Sequence, residues 1–301
     1  MNPRRILFLL TACAAVFLTS ACVIISHAAA PANWSAKQIA VVENLNAPEC
    51  MLPDPERGVV YISNIETSTE GYWEADGEGF ISRLAPDGAM KELRWLDSSP
   101  AGRLNGPKGL CLLDGWLYIN DLDQLKRARI ETAGPVEVVP LAGAKRLNDA
   151  ASDGRLVYVS DMEAGVVFAV DPKNPARETR TIPAPAAING VTCHQGRLFA
   201  VSRDLHEVYE LDPAGKQPPQ PFGLAEQFQR LDGIEVLDDG TFVVSDFLGG
   251  RVVTIAPDRK TVRTLATMET PADVGIDRAR LLMYVPQLKK NQGLVYKLSA
   301  E

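Results

Sequence analysis

The 301-residue chain is 46% hydrophobic and 23% charged, enough for one large domain or two ordinary ones, which excludes disorder as its dominant state. Its formal net charge of -7, from 31 basic and 38 acidic residues, offers no basic stripe to displace counterions from a phosphate backbone, which argues against nucleic acid as a partner. Glycine (23) and proline (21) run through the whole length and aromatics make up only 7%, a composition that suits many short strands joined by turns.

Residues 1–30 read as an export signal. Arg4 and Arg5 precede an almost unbroken apolar run from Ile6 to Ile25, and Ala28, Ala29 and Ala30 supply small residues for cleavage. Two alternatives stay open. Cys22 follows Leu18-Thr19-Ser20-Ala21, which is similar to a bacterial lipoprotein box except that Thr19 stands where an aliphatic residue is expected, and the run would span a bilayer if left uncut. The expected location is periplasmic or secreted, with membrane association only through an uncut leader or a lipidated Cys22.

Beyond the leader, Gln38-Ile39-Ala40-Val41-Val42 is a strand that stands alone. A repeated unit then organises residues 31–301 as a single domain. Its clearest copy is Leu231-Asp232-Gly233-Ile234-Glu235-Val236, a turn at Asp238-Asp239-Gly240, Thr241-Phe242-Val243-Val244-Ser245-Asp246, and Arg251-Val252-Val253-Thr254-Ile255. The same grammar opens at Pro48-Glu49, Pro107-Lys108, Leu147-Asn148, Ile188-Asn189 and Ala272-Asp273. The polar openers at 49, 108, 148, 189, 232 and 273 are spaced by 59, 40, 41, 43 and 41 residues. A period near forty with three or four strands per unit marks a β-propeller blade, so the expected fold is all-β, a six-bladed propeller. The long first interval holds an insertion, Glu66 to Glu78, carrying Tyr72 and Trp73 and read as a loop over one face. The last copy ends at Val295-Tyr296-Lys297-Leu298 with no outermost strand, so the spare N-terminal strand is expected to complete the sixth blade and close the ring.

Polar residues that open successive inner strands converge on the propeller axis. The expected ring is Glu49, Lys108, Asn148, Asn189, Asp232 and Asp273, an oxygen-rich set of the kind hard cations prefer. Any one of these positions alone is accounted for as a turn residue bonded to nearby backbone; their shared phase is what points to a metal. Three cysteines follow the leader, Cys50, Cys111 and Cys193, and an odd count is not a complete disulfide framework. They read as small buried hydrophobes on inner strands, with a Cys50–Cys111 bridge left open. Neither His194, in a turn after an inner strand, nor His206, before an outer one, suits a Ser-His-Asp triad.

The motifs Pro48-Glu49-Cys50, Arg146-Leu147-Asn148-Asp149, Ile188-Asn189-Gly190-Val191 and Asp232-Gly233-Ile234 resemble those of the gluconolactonase family, which includes regucalcin (senescence marker protein) and bacterial sugar lactonases. The resemblance runs from about Asn44 to Leu298. It implies one divalent cation, calcium favoured over zinc, magnesium or manganese, held by Glu49, Asn189 and Asp232, with Arg146 and Asn148 contacting substrate. The expected activity is metal-dependent hydrolysis of a small lactone, with Asp232 the first candidate for the base and Asp273 the second. Val191-Thr192-Cys193-His194 departs from the family's usual continuation. Lys108 and Asp273 put an extra cation and an extra acid on the ring that match no family function; they would pair across the channel or bind an anionic substrate. A second reading stays beside this one: Asp-Gly-Ile starts and Val-Ser-Asp ends also occur in NHL-repeat propellers, many of which only bind proteins or ligands.

Overall fold

The computed structural model describes residues 33–66, 71–97, 103–175 and 179–300; the leader lies outside them. An N-terminal strand β1 (Trp34–Val42) is followed by five blades of four antiparallel strands in chain order. They are β2 to β5 (Pro48–Asp54, Val59–Asn64, Phe80–Leu84, Met90–Leu96), β6 to β9 (Pro107–Leu113, Trp116–Asp121, Gln124–Arg129, Glu137–Val139) and β10 to β13 (Leu147–Ser152, Val157–Asp161, Val166–Val170, Arg180–Pro183). Next come β14 to β17 (Ile188–His194, Arg197–Ser202, Glu207–Leu211, Gln220–Pro221) and β18 to β21 (Leu231–Val236, Phe242–Asp246, Arg251–Ile255, Val262–Thr267). The sixth blade consists of β22 (Gly275–Asp277), β23 (Leu282–Gln287) and β24 (Gln292–Ala300), completed by β1. The chain is therefore a six-bladed β-propeller. No helix among the described residues is long and apolar enough to cross a membrane.

Closure extends further than the sequence pattern suggests. β1 pairs with β24 from Trp34↔Ala300 to Val42↔Gly293, with one bulge between Gln38 and Ala40. The pairing reaches past Gln38 because β24 continues to Ala300, where the Ser35 and Ser299 hydroxyls meet at 2.9 Å. Successive blades are glued by apolar clusters, for example Tyr61, Ile81 and Trp95 of the first blade against Leu110, Leu117 and Ile119 of the second.

The inner strands share one irregularity, and it positions the functional residues. In five blades the pairing of the first and second strands slips between the opening residue and the third one after it: Pro48/Met51, Pro107/Leu110, Leu147/Ala150, Ile188/Val191 and Leu231/Ile234. The two residues inside each slip leave the ladder, as in a β-bulge, and are re-aimed toward the axis. Their backbone is held by the end of the second strand, which explains the Ser-Asp dipeptide. Ser63, Ser160 and Ser245 accept from the N–H groups of Cys50, Asp149 and Gly233 at 2.9, 2.9 and 2.7 Å. Asp161 accepts from the N–H of Lys145 and Arg146, and Asp246 from those of Gln229 and Arg230, pinning the loop that enters each inner strand. Each such buried bond contributes about 1 kcal/mol, and an orphaned partner costs more.

The sixth blade shifts the expected ring by one residue. Pro271 pairs with Gln287 at the end of β23, as Pro48 pairs with Asn64 at the end of β3, so Ala272 and not Asp273 holds the phase of Glu49. Asp273 holds the phase of Cys50, to which it is bridged, and of Gly109, Asp149, Gly190 and Gly233, one layer deeper. That layer is tight: a Cβ on Gly190 would lie 2.4 Å from Asp232 O, and one on Gly233 2.6 Å from Asp273 Oδ1.

Candidate functional site

Glu49, Lys108, Asn148, Asn189 and Asp232 line one cavity of about 230 Å³ at one end of the channel. Its mouth is built from the residue that follows the second strand in five of the six blades: Ile65, Met162, Arg203, Phe247 and Leu288. Tyr72 and Trp73, from the insertion after β3, and Arg230 and Lys289 complete the lining. The insertion thus covers the end that carries the openers. Arg146, exposed on the loop entering β10, stands with its guanidinium 4.5 Å from the centre of the Trp73 ring.

Asp273 does not line this cavity. It faces a second one, also about 230 Å³, together with Cys50, Asp149, Cys111 and Cys193. The ion pair between Lys108 and Asp273 is absent; the Lys108 ammonium instead donates to the carbonyls of Tyr72 (2.6 Å) and Gly106 (3.4 Å). The three cysteines are free thiols on the inner strands β2, β6 and β14, with no Cys50–Cys111 bridge. His194 and His206 line neither cavity.

The electrostatics follow from burial. Desolvation raises the Glu49 carboxyl well above its ordinary range, and Asp232 raises it further, while Lys108 and a hydrogen bond from Asn148 act the other way. Desolvation lifts Asp232 to about 7 against the opposing pull of Arg203, Arg230 and Lys108. Lys108 is brought down to about 8 by desolvation, which Glu49 and Asp121 partly offset. Asp149, not among the expected site residues, is lifted to about 8 by burial although it accepts from the N–H groups of Ala150 and Val191, both at 2.7 Å. It serves as a brace between the third and fourth blades.

Four side-chain oxygens on this ring are buried without a hydrogen-bond partner: Glu49 Oε2, Asn148 Oδ1, Asn189 Oδ1 and Asp232 Oδ1. Each belongs to a residue that lines the same cavity. Orphaned buried oxygens are costly, and several converging on one space is the chemistry a hard cation satisfies. Among the described residues, no group of three or more His, Cys, Asp or Glu is placed to hold a metal ion, so a cation here would also need the amide oxygens. The donors that fit are two carboxylates and two amides.

No protein-family model matches the sequence, and no curated protein does. Solved structures share the fold. A protein provisionally designated a gluconolactonase superposes with a TM-score of 0.65 at 17% identity, over 90% of this chain and 94% of its own. The luciferin-regenerating enzyme gives 0.62 at 13% over 89% and 95%. A virginiamycin B lyase from Staphylococcus aureus, in a catalytically inactive histidine-to-alanine form with quinupristin, gives 0.57 at 12% over 88% and 99%. At these identities the likeness is one of fold: the chain shares the propeller architecture of these proteins.

Proposed function

We propose that the cavity hydrolyses a small lactone derived from a sugar acid, with one divalent cation, calcium favoured, held by Glu49, Asn189 and Asp232. The observation that carries this reading is the convergence of unpartnered oxygens from Glu49, Asn148, Asn189 and Asp232 on one cavity. Bound there, the ion would polarise the lactone carbonyl and offset the charge that develops on its oxygen.

The chain's own groups supply the rest. Asp232, at about 7 without a cation and lower with one, is ionised as a base must be, and takes a proton from the water that attacks the carbonyl carbon. The water oxygen bonds to that carbon, the ring C–O bond breaks, and the ring oxygen leaves as a hydroxyl on receiving the proton. Lys108 commits two of its three N–H groups to carbonyls and keeps one for the substrate. Asn148 and Arg146 hold hydroxyls. The histidine on which the lyase depends has no equivalent at this cavity, since neither described histidine lines it. The leader supports export to the periplasm or outside the cell.

The test is acid release from a panel of aldonolactones by the calcium-loaded chain of residues 31–301. Hydrolysis that Asp232→Asn abolishes is expected. Tight binding of a lactone with no turnover would make the protein a ligand-binding propeller instead.

A further inference from the structure

The cavity carries the opposite charge to the protein around it. The whole chain has a formal net charge of -7, yet the lining pairs four cations, Lys108, Arg203, Arg230 and Lys289, with only two carboxylates, Glu49 and Asp232. A divalent cation on the orphaned oxygens would widen the excess. Arg146 adds a fifth cation beside Trp73.

Lys108 is buried, Arg203 and Arg230 are half-buried, and Arg146 and Lys289 are exposed; three features bear on their placement. Lys108 is 2% exposed, in a position that in three other blades holds glutamate or asparagine. Arg203 occupies the mouth position that is Ile65, Met162, Phe247 and Leu288 in four other blades, so a charge replaces an apolar wall residue at one point of the rim. Arg146, Arg230 and Lys289 form no ion pair with any described carboxylate, whereas Arg203 is paired by Asp204 at 2.9 Å. Arg146 and Arg230 also share one phase, immediately before Leu147 and Leu231, and both loops are clamped by strand-end aspartates, Asp161 and Asp246. The fold therefore fixes the backbone from which each guanidinium projects.

We propose that the substrate is anionic: a lactone bearing a second acidic group, a carboxylate of the kind found in sugar diacids, which Arg230 and Lys289 receive at the mouth. This rests on the hydrolase reading above for the reaction, though not for the binding preference. Unpaired cations at a cavity mouth raise the local concentration of an anion and orient it, an effect that salt screens.

Two measurements separate the two claims. The first compares hydrolysis of glucono-1,4-lactone with that of glucaro-1,4-lactone, which differs by one carboxylate, at 25 and 250 mM NaCl (roughly 20 and 6 Å of Debye screening). The expected kcat/KM is at least about ten-fold higher for the diacid lactone at low salt, narrowing at high salt, with Arg230→Gln and Lys289→Gln each reducing the preference several-fold. The second titrates galacturonate and galactose, neither of them a lactone, into the same protein. Galacturonate is expected to bind about ten-fold tighter or better, with affinity falling as salt rises. If neither lactone is hydrolysed but galacturonate is preferred, the hydrolase reading fails and the anionic preference stands. Equal binding of galactose and galacturonate, or a preference that salt and both variants leave unchanged, overturns the inference even where the neutral lactone is hydrolysed.

Discussion

The Lys108 ammonium lies 4.2 Å from the centre of the Trp73 ring, joining a buried inner strand of the second blade to a loop inserted in the first. The same ammonium donates to the carbonyl of Tyr72, so one charge fixes both aromatic residues of the insertion over the channel. Cation–π contacts of this kind contribute about 0.5 to 2 kcal/mol each. Trp73→Ala is expected to raise KM about ten-fold while changing Tm by no more than a few degrees, because Tyr72, and not Trp73, is the insertion's contact with an apolar cluster between blades. Steady-state kinetics and a thermal melt check both halves.

Asp232 and Asp273 are separated by one layer of the propeller, and the two carboxylates should behave differently. Asp232→Asn is expected to lower kcat about 10² to 10⁴-fold by removing the base and to weaken calcium binding. Asp273, buried and accepting from the Cys50 thiol, has a carboxyl raised well above its ordinary range, so a neutral amide is a close replacement. Asp273→Asn should leave kcat and calcium affinity within about three-fold. Equal loss of activity in both variants would return Asp273 to the catalytic ring.

The raised carboxyls also set a pH dependence of stability. Asp232 titrates at about 7 in the folded chain and near 3.9 when unfolded, so between these values the folded state holds the additional proton and stability falls as pH rises. Glu49 adds to the same trend, since burial raises it too. Lys108, lowered to about 8, acts only above that value, where the unfolded chain holds more protons and stability recovers with pH. Without divalent ions, the contribution of these groups should lower Tm between pH 5 and 7.5. Saturating calcium, which binds the ionised forms, should flatten or reverse the trend. Differential scanning calorimetry with chelator and with calcium measures both curves.

Ring closure is testable by truncation. Removing residues 1–42 strips β1 from β24, exposing Val295 and Leu298 and leaving the sixth blade one strand short. A loss of about 3 to 5 kcal/mol is expected, about 10 °C in Tm for a domain of this size. A melt unchanged within 2 °C would mean that β1 does not close the ring.

Much of this architecture is legible in the sequence because one interaction recurs. The strand-end Ser-Asp of Ser160-Asp161 and Ser245-Asp246 bonds the residues beside the opener, so the motif and the bulge it holds repeat together, and Glu49, Asn148, Asn189 and Asp232 follow from their phase. The sixth unit hides its phase. Pro271-Ala272-Asp273 has an alanine where the other units carry a polar opener, and an acid one place later, so the eye takes Asp273 for the opener, while the pairing of Pro271 with Gln287 shows otherwise. Nothing in the local sequence singles out Arg203, because only the apolar residues at the same position in other blades mark it as part of a wall. Arg230 was within reach, since Arg230-Leu231-Asp232 repeats the order of Arg146-Leu147-Asn148. Nothing local in the sequence signals Lys289, which reaches the mouth from the turn after β23.

The hydrolysis proposed for the cavity depends on Glu49, Asn189 and Asp232 holding one hard divalent cation. Calorimetric titration of chelator-stripped protein, residues 31–301, with calcium at pH 7.5 tests it directly. One site per chain is expected, with protons released on binding and affinity reduced at least about ten-fold in Glu49→Gln and in Asn189→Ala, each of which should still fold and melt cooperatively. Absence of binding by calcium, magnesium, manganese and zinc alike, or calcium affinity that both variants leave intact, would contradict it.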